Sequence, residues 1–484
     1  VQLGADGLLV AWSPPSSGEA PEGYDILRDG AVIRQVSGAA RAYNDHPPAG
    51  GLLSYEVASR DPIGNTSAAA PMVFDLKVGA VRNVRILVQD DDPPALSWQS
   101  TDGSVVGYNV YRGGAKLNAS LLQSPAFVDA WYGGTSRFTY DVRAVNGDGD
   151  QSPPRTIDVF PLRIEAGVNV DGAGASRPLA NGFFNQADLL LANDDPEAAL
   201  SLDEMQIRLT ADGQLVHERS RALSESVAPA GNYESAWVIP GGSSEQDHIL
   251  RMTAIDRDEV GGTVTYQQDA VFEARRTNDA LELSVADVPL AGTVCEVHLC
   301  AFNRGYAAMD VVVNRGNGAD PGDVAVTVSN AGGLELGRTE YKGYPAYPLY
   351  ASNGVTFIRV AAGEQACVDV DVLVPYALDE GDTIVFGGLV APIYHDRFGE
   401  AIVSEQPLTG SMDSAITHTE YSGTAATDHP LYSNNTPVII SGQAIDRDTG
   451  EPRPDAALTL GFFTRGFRWS VPITCDENGD YSYT

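Results

Sequence analysis

Apolar and polar residues alternate along most of this chain with a period of two, the spacing that puts one face of an extended segment in a core and the other in water. LRIEAGVNV (162–170), HILRMTAIDRD (248–258), MDVVVNRG (309–316), DVAVTVSNAGG (323–333) and CVDVDVLVP (367–375) all read this way. Between such segments stand glycine and proline, 50 and 29 of them, which punctuate short strands and form no low-complexity tracts. Helical periodicity is scarce. The best amphipathic stretch, PEAALSLDEMQIRL (196–209), itself ends in strand-like alternation. The pattern predicts an all-β protein, and 484 residues exceed what one hydrophobic core serves, so three to five domains are expected.

The first 155 residues contain a repeat. LLVAWSPP (8–15) returns as ALSWQS (95–100), GYDILRDG (23–30) as GYNVYRGG (107–114), YNDHPPAGG (43–51) as FVDAWYGG (127–134), and YEVASRDPIGNTS (55–67) as YDVRAVNGDGDQS (140–152). Trp12 and Trp98 are 86 residues apart, Tyr24 and Tyr108 84, Tyr55 and Tyr140 85. Each copy has a tryptophan on an early strand and a Tyr-x-Val pair on a late one, an order that lets the indole fill the space between two sheets while the tyrosine hydroxyl ties back to the backbone at a corner. On these residues both copies resemble the fibronectin type III domain, with an early-strand Trp, a central Tyr, and a final Y-x-V followed by a G-x-x-S loop. The resemblance implies two β-sandwiches, 1–76 and 77–159. The first begins close to its second strand, so its first strand is expected to be missing.

From 160 to 277 the repeat is lost, but strand-like segments continue and predict another sandwich. The segment 278–412 alternates over longer runs, and GEQACVDVDVLVP (363–375) is similar to bacterial surface domains of immunoglobulin-like fold. After a Ser/Thr-rich connection comes VIISGQAIDRDTGEPRPDAALTL, then DENGDYSYT at the end (433–484 as a unit). Gly442, Ala444, Thr449, Gly450, Pro452, Pro454, Ala456, Asp476, Gly479 and Tyr481 resemble the carboxypeptidase regulatory-like, transthyretin-like module. That resemblance implies a noncatalytic sandwich, here short of strands, so either a longer natural chain or a strand donated by a partner is expected. The whole is expected to be an extended array of immunoglobulin-like and fibronectin type III-like β-sandwiches.

Charge narrows the function. With 31 Lys and Arg against 65 Asp and Glu, the net charge is -34, which repels phosphate backbones and anionic lipid surfaces; nucleic acid is excluded as a partner. Lysine occurs only at Lys77, Lys116 and Lys342, so there is no polybasic patch. Apolar runs are broken within about ten residues, short of the roughly 20 that a membrane helix needs, and no membrane insertion is expected. No signal peptide is expected within these residues, and with Val1 rather than Met at the start a processed or trimmed N-terminus is expected.

Catalytic constellations are missing from the sequence: no His-x-x-x-His pair, no G-x-S-x-G elbow, no phosphate-cradling glycine loop. Three features hold candidate chemistry. Asn146, Asp148 and Asp150 alternate as calcium ligands do, but RDPIGNTS keeps the glycine and serine without the acids, and no distal bidentate Glu follows. A turn is therefore expected, with calcium the only cofactor to consider; Asp90, Asp91 and Asp92 are likewise expected to be a solvated loop. CEVHLC offers Cys295, His298 and Cys300 to a metal, but in a strand Cys295 lies on the opposite face. In an immunoglobulin-like pairing, 295–300 antiparallel to 367–373 brings Cys300 within disulfide reach of Cys367, leaving Cys295 and Cys475 with undetermined partners; a disulfide implies an oxidising compartment. Finally, Tyr341, Tyr344, Tyr347 and Tyr350 recur every third residue, as on a polyproline-like loop, and could grip a polysaccharide or protein, or else seal a domain junction, as could Trp131 and Tyr132.

These readings converge on a noncatalytic segment of a large secreted or cell-surface protein, a stalk, adhesin or fibre scaffold. Its expected partners are proteins, surface polysaccharide, or further copies of itself. Two alternatives keep the same architecture: an accessory region of a large secreted enzyme or toxin, and a filament subunit completed by strand donation.

Overall fold

The computed structural model describes residues 1–484 apart from 5, 17–19, 68–69, 90–91, 131–135, 278–279, 292, 314–323, 334, 341–348, 353–354, 375–377, 379–380, 391, 396–400, 405–406, 418–419, 431–435 and 465–466. For 312–313, 324–325, 335–340, 349–352, 355–358, 371, 373, 422, 462–464 and 467–470 it describes the backbone alone.

Strands separated by turns make up the protein, with no helix among the described residues. It is an all-β array of sandwich units. In the first, Gln2–Leu3, Leu8–Ala11 and Ala42–Asp45 form one sheet, and Ala31–Ser37, Gly23–Arg28, Gly51–Arg60 and Met72–Leu76 form the other. The first strand, expected to be missing, is therefore represented by Gln2–Leu3, paired antiparallel with Leu8–Ala11. Alternation fixes which residues meet between the sheets: Leu8, Val10, Tyr24, Ile26, Leu53, Tyr55 and Leu76 are buried there. The second unit repeats the plan, and in both the tryptophan meets its tyrosine edge-on, Trp12 against Tyr24 and Trp98 against Tyr108, each at 5.3 Å between ring centroids.

The late-strand tyrosines differ from expectation. Their hydroxyls go to carboxylates: Tyr140 donates to Asp129 Oδ2 at 2.8 Å, and Tyr55 donates to Asp45 Oδ2 at 2.5 Å. Each carboxylate also receives an arginine, Arg112 on Asp129 and Arg28 on Asp45. Burial and the adjacent carboxylate both raise the two phenols' pKa, so they stay protonated donors. An aspartate 1% exposed (Asp129) is tolerable because a cation and a hydroxyl satisfy it together.

One turn recurs five times among the described residues. An Asp or Asn accepts, on its side-chain Oδ1, the N–H groups two and four residues on: Asp61, Asn146, Asp171, Asp258 and Asp476. Three residues after it stands a glycine with φ between +78° and +90° (Gly64, Gly149, Gly174, Gly261, Gly479), left-handed backbone that other residues adopt only with strain.

The boundary between the second unit and residues 160–277 is bridged by a continuous sheet. Thr263–Phe272 runs parallel to Arg82–Gln89, with Thr263 opposite Arg85 and Gln267 opposite Gln89. The result is a seven-stranded sheet reaching from Ala126–Val128 to Gln214–Val227. Two would-be edges vanish into it. Below it one core holds Trp98, Tyr140 and Val142 from one side and Leu189, Trp237 and Met252 from the other. Phe160 and Pro161 alone separate Arg155–Val159 from Leu162–Val168, and the Phe160 N–H donates to the buried Tyr266 hydroxyl at 2.9 Å.

The next boundary is also buried. Phe183 and Phe184, at the start of Phe184–Asn193, pack into the core of 278–412 beside Met309 and Ile402, and Phe184 lies 5.8 Å from the ring of Tyr394. The final unit is slighter. Its buried core is Ala444, Ala456, Cys475 and Tyr481. Gly442 is fixed there by space, since a Cβ would sit 1.8 Å from the Thr424 carbonyl oxygen, which accepts the Tyr481 hydroxyl at 2.6 Å.

Candidate functional site

Where the first three units meet, a cleft of about 540 Å³ opens, lined by Asp6, His46, Arg155, Asp158, Asp256 and Asp258 among others. Strand ends bring these groups together. Arg155 starts the strand Arg155–Val159, and Asp256 and Asp258 lie where His248–Arg257 enters one of the recurrent turns. The Arg155 guanidinium, 2% exposed, pairs with Asp258 and donates to the Thr156 carbonyl at 2.8 Å. Asp6 reaches across from the first unit, accepting the Thr156 N–H at 3.1 Å and lying 2.9 Å from His46 Nε2. Burial alone would raise the Asp6 carboxyl; the His46 hydrogen bond and charge outweigh it and hold the pKa below the usual carboxylate range.

Asp256 goes the other way. Burial first, then the charges of Asp203, Asp258 and Asp158, raise it to about 7. An acid raised in the folded state binds a proton that the unfolded chain has already released, so stability falls as pH rises from about 4 to about 7. Asp256→Asn is expected to stabilise the chain by about 2 kcal/mol at pH 8, a figure halved for solvent screening, and to change nothing below pH 4. Denaturant melts across pH 3 to 9 would check this; equal gains at both ends would refute it. The cleft's acids do not converge on a point: among the described residues, only His298, Cys300 and Cys367 bring three metal-type ligand atoms within 4.8 Å of one another. The arrangement is a charged clasp between units.

That trio sits in the fourth unit on two neighbouring strands, Val294–Phe302 and Gln365–Leu373, with His298 opposite Asp369 and Cys300 opposite Cys367. Val297, Leu299, Val368 and Val370 face the core, so the four opposed residues share the outer face as a two-by-two patch. Cys300 and Cys367 are joined, with sulfurs 2.05 Å apart. His298 Nδ1 lies 2.7 Å from Asp369 Oδ1, and its Nε2 lies 3.3 Å from Cys300 Sγ.

The other residues singled out from sequence fall as follows. Asn146 spends its side-chain oxygen on the Asp148 and Asp150 N–H groups, at 3.1 and 2.9 Å, which closes the turn; Asp61 does the same in the first copy. Tyr341, Tyr344, Tyr347, Trp131, Tyr132, Asp90 and Asp91 lie outside the described residues; Tyr350 is in the strand Leu349–Ser352, opposite Phe357. Cys295 packs against the inner core and Cys475 is buried in the last unit, and burial raises both thiols. Asp45, Asp129, Arg155 and His46 were not singled out by sequence. Their only signal was that Asp45 and Asp129 hold equivalent places in the repeat.

No family model matches the chain, and no curated protein does. Among solved structures, a tetra-tandem repeat from the extending region of a large adhesion protein is similar at 15% identity, over 83% of this chain and 90% of that one, with a TM-score of 0.21. Red sea bream transglutaminase is similar at 8% identity over 57% of this chain, which spans 37% of that structure's length, with a TM-score of 0.20.

Proposed function

We propose that this chain is a noncatalytic spacer in a large secreted or cell-surface protein of the adhesin kind, built from fibronectin type III-like and immunoglobulin-like sandwiches and ending in a carboxypeptidase regulatory-like module. The observation that carries the reading is the way the units are fused. A spacer must transmit force and hold direction, and flexible linkers do neither. Here a parallel strand pair and a common core join 77–159 to 160–277, Phe183 and Phe184 plug the next unit, and the first unit is clasped by Asp6, which accepts the Thr156 N–H, and by Arg34, which pairs with Glu259. The FnIII-type assignment is supported by the repeated Trp–Tyr pairs and by strand order in both copies. A disulfide on an outward sheet face suits an oxidising compartment. Side contacts along such a spacer would be weak ones to a protein or a surface polysaccharide.

Pulling the whole chain by its ends tests this. The second and third units should open in one event releasing about 700 Å of contour, the length of some 200 residues at full extension. Two separate events of about half that length, or opening of every unit at the lowest forces, would count against a spacer.

A further inference from the structure

The outer-face patch on the fourth unit does not serve the spacer role, and its chemistry is specific. We propose that His298, Cys300 and Cys367 are a redox-gated metal site, closed while the two cysteines are joined and open to a divalent ion of the zinc class once a thiol reductant separates them.

Two soft sulfurs and an imidazole nitrogen are a zinc-type donor set. In a tetrahedral zinc site, bond lengths near 2.3 Å to sulfur and 2.0 Å to nitrogen put a sulfur about 3.6 Å from a nitrogen. Cys300 Sγ already stands 3.3 Å from His298 Nε2. The ring is held for ligation from behind: Asp369 Oδ1, 2.7 Å from Nδ1, accepts its N–H and leaves the Nε2 lone pair facing the sulfurs. All four residues stand on paired strands, so only the side chains of Cys300 and Cys367 must turn to move their sulfurs apart. His298 and Asp369 are half exposed, at 50% and 54%, which admits both a small reductant and a hydrated ion and leaves a fourth position to water. The free cysteines lie elsewhere, Cys295 on the inner face and Cys475 in the last unit.

The chemistry balances. A dithiol reductant supplies two electrons and two protons, the Cys300–Cys367 bond breaks to two thiols, and the reductant becomes a disulfide. The ion then displaces both thiol protons to solvent and takes two thiolates and the neutral His298 Nε2.

Cobalt(II) is the probe, titrated anaerobically into the full chain after reduction and removal of the reductant. The reduced chain is expected to bind one equivalent, with thiolate-to-cobalt charge-transfer and tetrahedral ligand-field absorption that zinc abolishes; the oxidised chain is expected to show neither. Asp369→Asn should weaken binding about 10- to 100-fold. His298→Ala should weaken it at least as much, and Cys295→Ala should leave it unchanged. Because His298 is exposed, its variant keeps the test usable if a Cys300→Ser chain does not fold, far-ultraviolet circular dichroism serving as the check. Absence of charge-transfer bands in the reduced chain, bands undiminished by His298→Ala, or bands lost with Cys295→Ala would each overturn the proposal.

Discussion

Asp129→Ala is expected to cost the chain about 3 kcal/mol, several times the cost of a surface substitution. The carboxylate is buried between the Arg112 guanidinium and the Tyr140 hydroxyl. Removing it strands a cation and a donor that water reaches poorly, and breaking one side of a buried pair is the costly case. Arg112 keeps a quarter of its side-chain surface in water, which sets the figure at the lower end of the usual range. Tyr140→Phe removes one hydrogen bond and leaves the ion pair, so about 1 kcal/mol is expected. Adding Arg112→Ala to Asp129→Ala should cost less than the sum, because the cation no longer needs a partner. Guanidinium melts followed by tryptophan fluorescence would measure all three. A loss below 1 kcal/mol for Asp129→Ala would mean that the repeated knot does not hold the unit together.

Phe184→Ala is expected to cost more, about 3 to 5 kcal/mol, and to change the form of unfolding as well as its midpoint. The ring is fully buried, belongs by sequence to the third unit and packs in the core of the fourth. Its backbone carbonyl accepts the Tyr306 and Ala307 N–H groups, at 2.9 and 3.1 Å, so the chain stays anchored while the cavity opens. Calorimetry should resolve residues 278–412 as a separate, lower transition in the variant, where the native chain melts them together with their neighbour. A single transition with an unchanged midpoint would show that this seam carries no coupling.

Much of the architecture was legible because it is local. Alternation located strands such as Met205–Ala211 within Leu200–Ala211, even where PEAALSLDEM suggested a helix, since a β-strand needs only its own two-residue period and a face to bury. The tryptophans and central tyrosines were legible as matched positions because the repeat held them at near-constant offsets, but their edge-on contact was not. Alternation in 295–300 and 367–373 fixed only which face each residue takes; setting Cys300 opposite Cys367 needed the immunoglobulin-like pairing as well, because a slip of two residues preserves the faces. What sequence did not disclose is non-local. Nothing around Thr263 or Arg85 says that those strands, some 180 residues apart, will run side by side, because a parallel pairing across a unit boundary is decided by packing and not by any turn. For the same reason five separate cores were expected where the second and third units have one. The clasp was hidden too: His46, Asp6, Arg155 and Asp258 come from three units, and an acid among 65 gives no sign of having a buried cation waiting for it.

The recurrent Asx turn has an effect on how this protein can change over time. Because one side chain and one left-handed glycine close each loop, the residues between them owe the fold little except at Glu259, which pairs with Arg34 of the first unit; Ile63, for example, is 85% exposed. Such tips can be rewritten, or lengthened beyond the closing pair, without disturbing the strands beneath. The molecule can thus vary what it shows to its surroundings at four of the five places, the Asp258 turn being held in the clasp, while its frame stays constant.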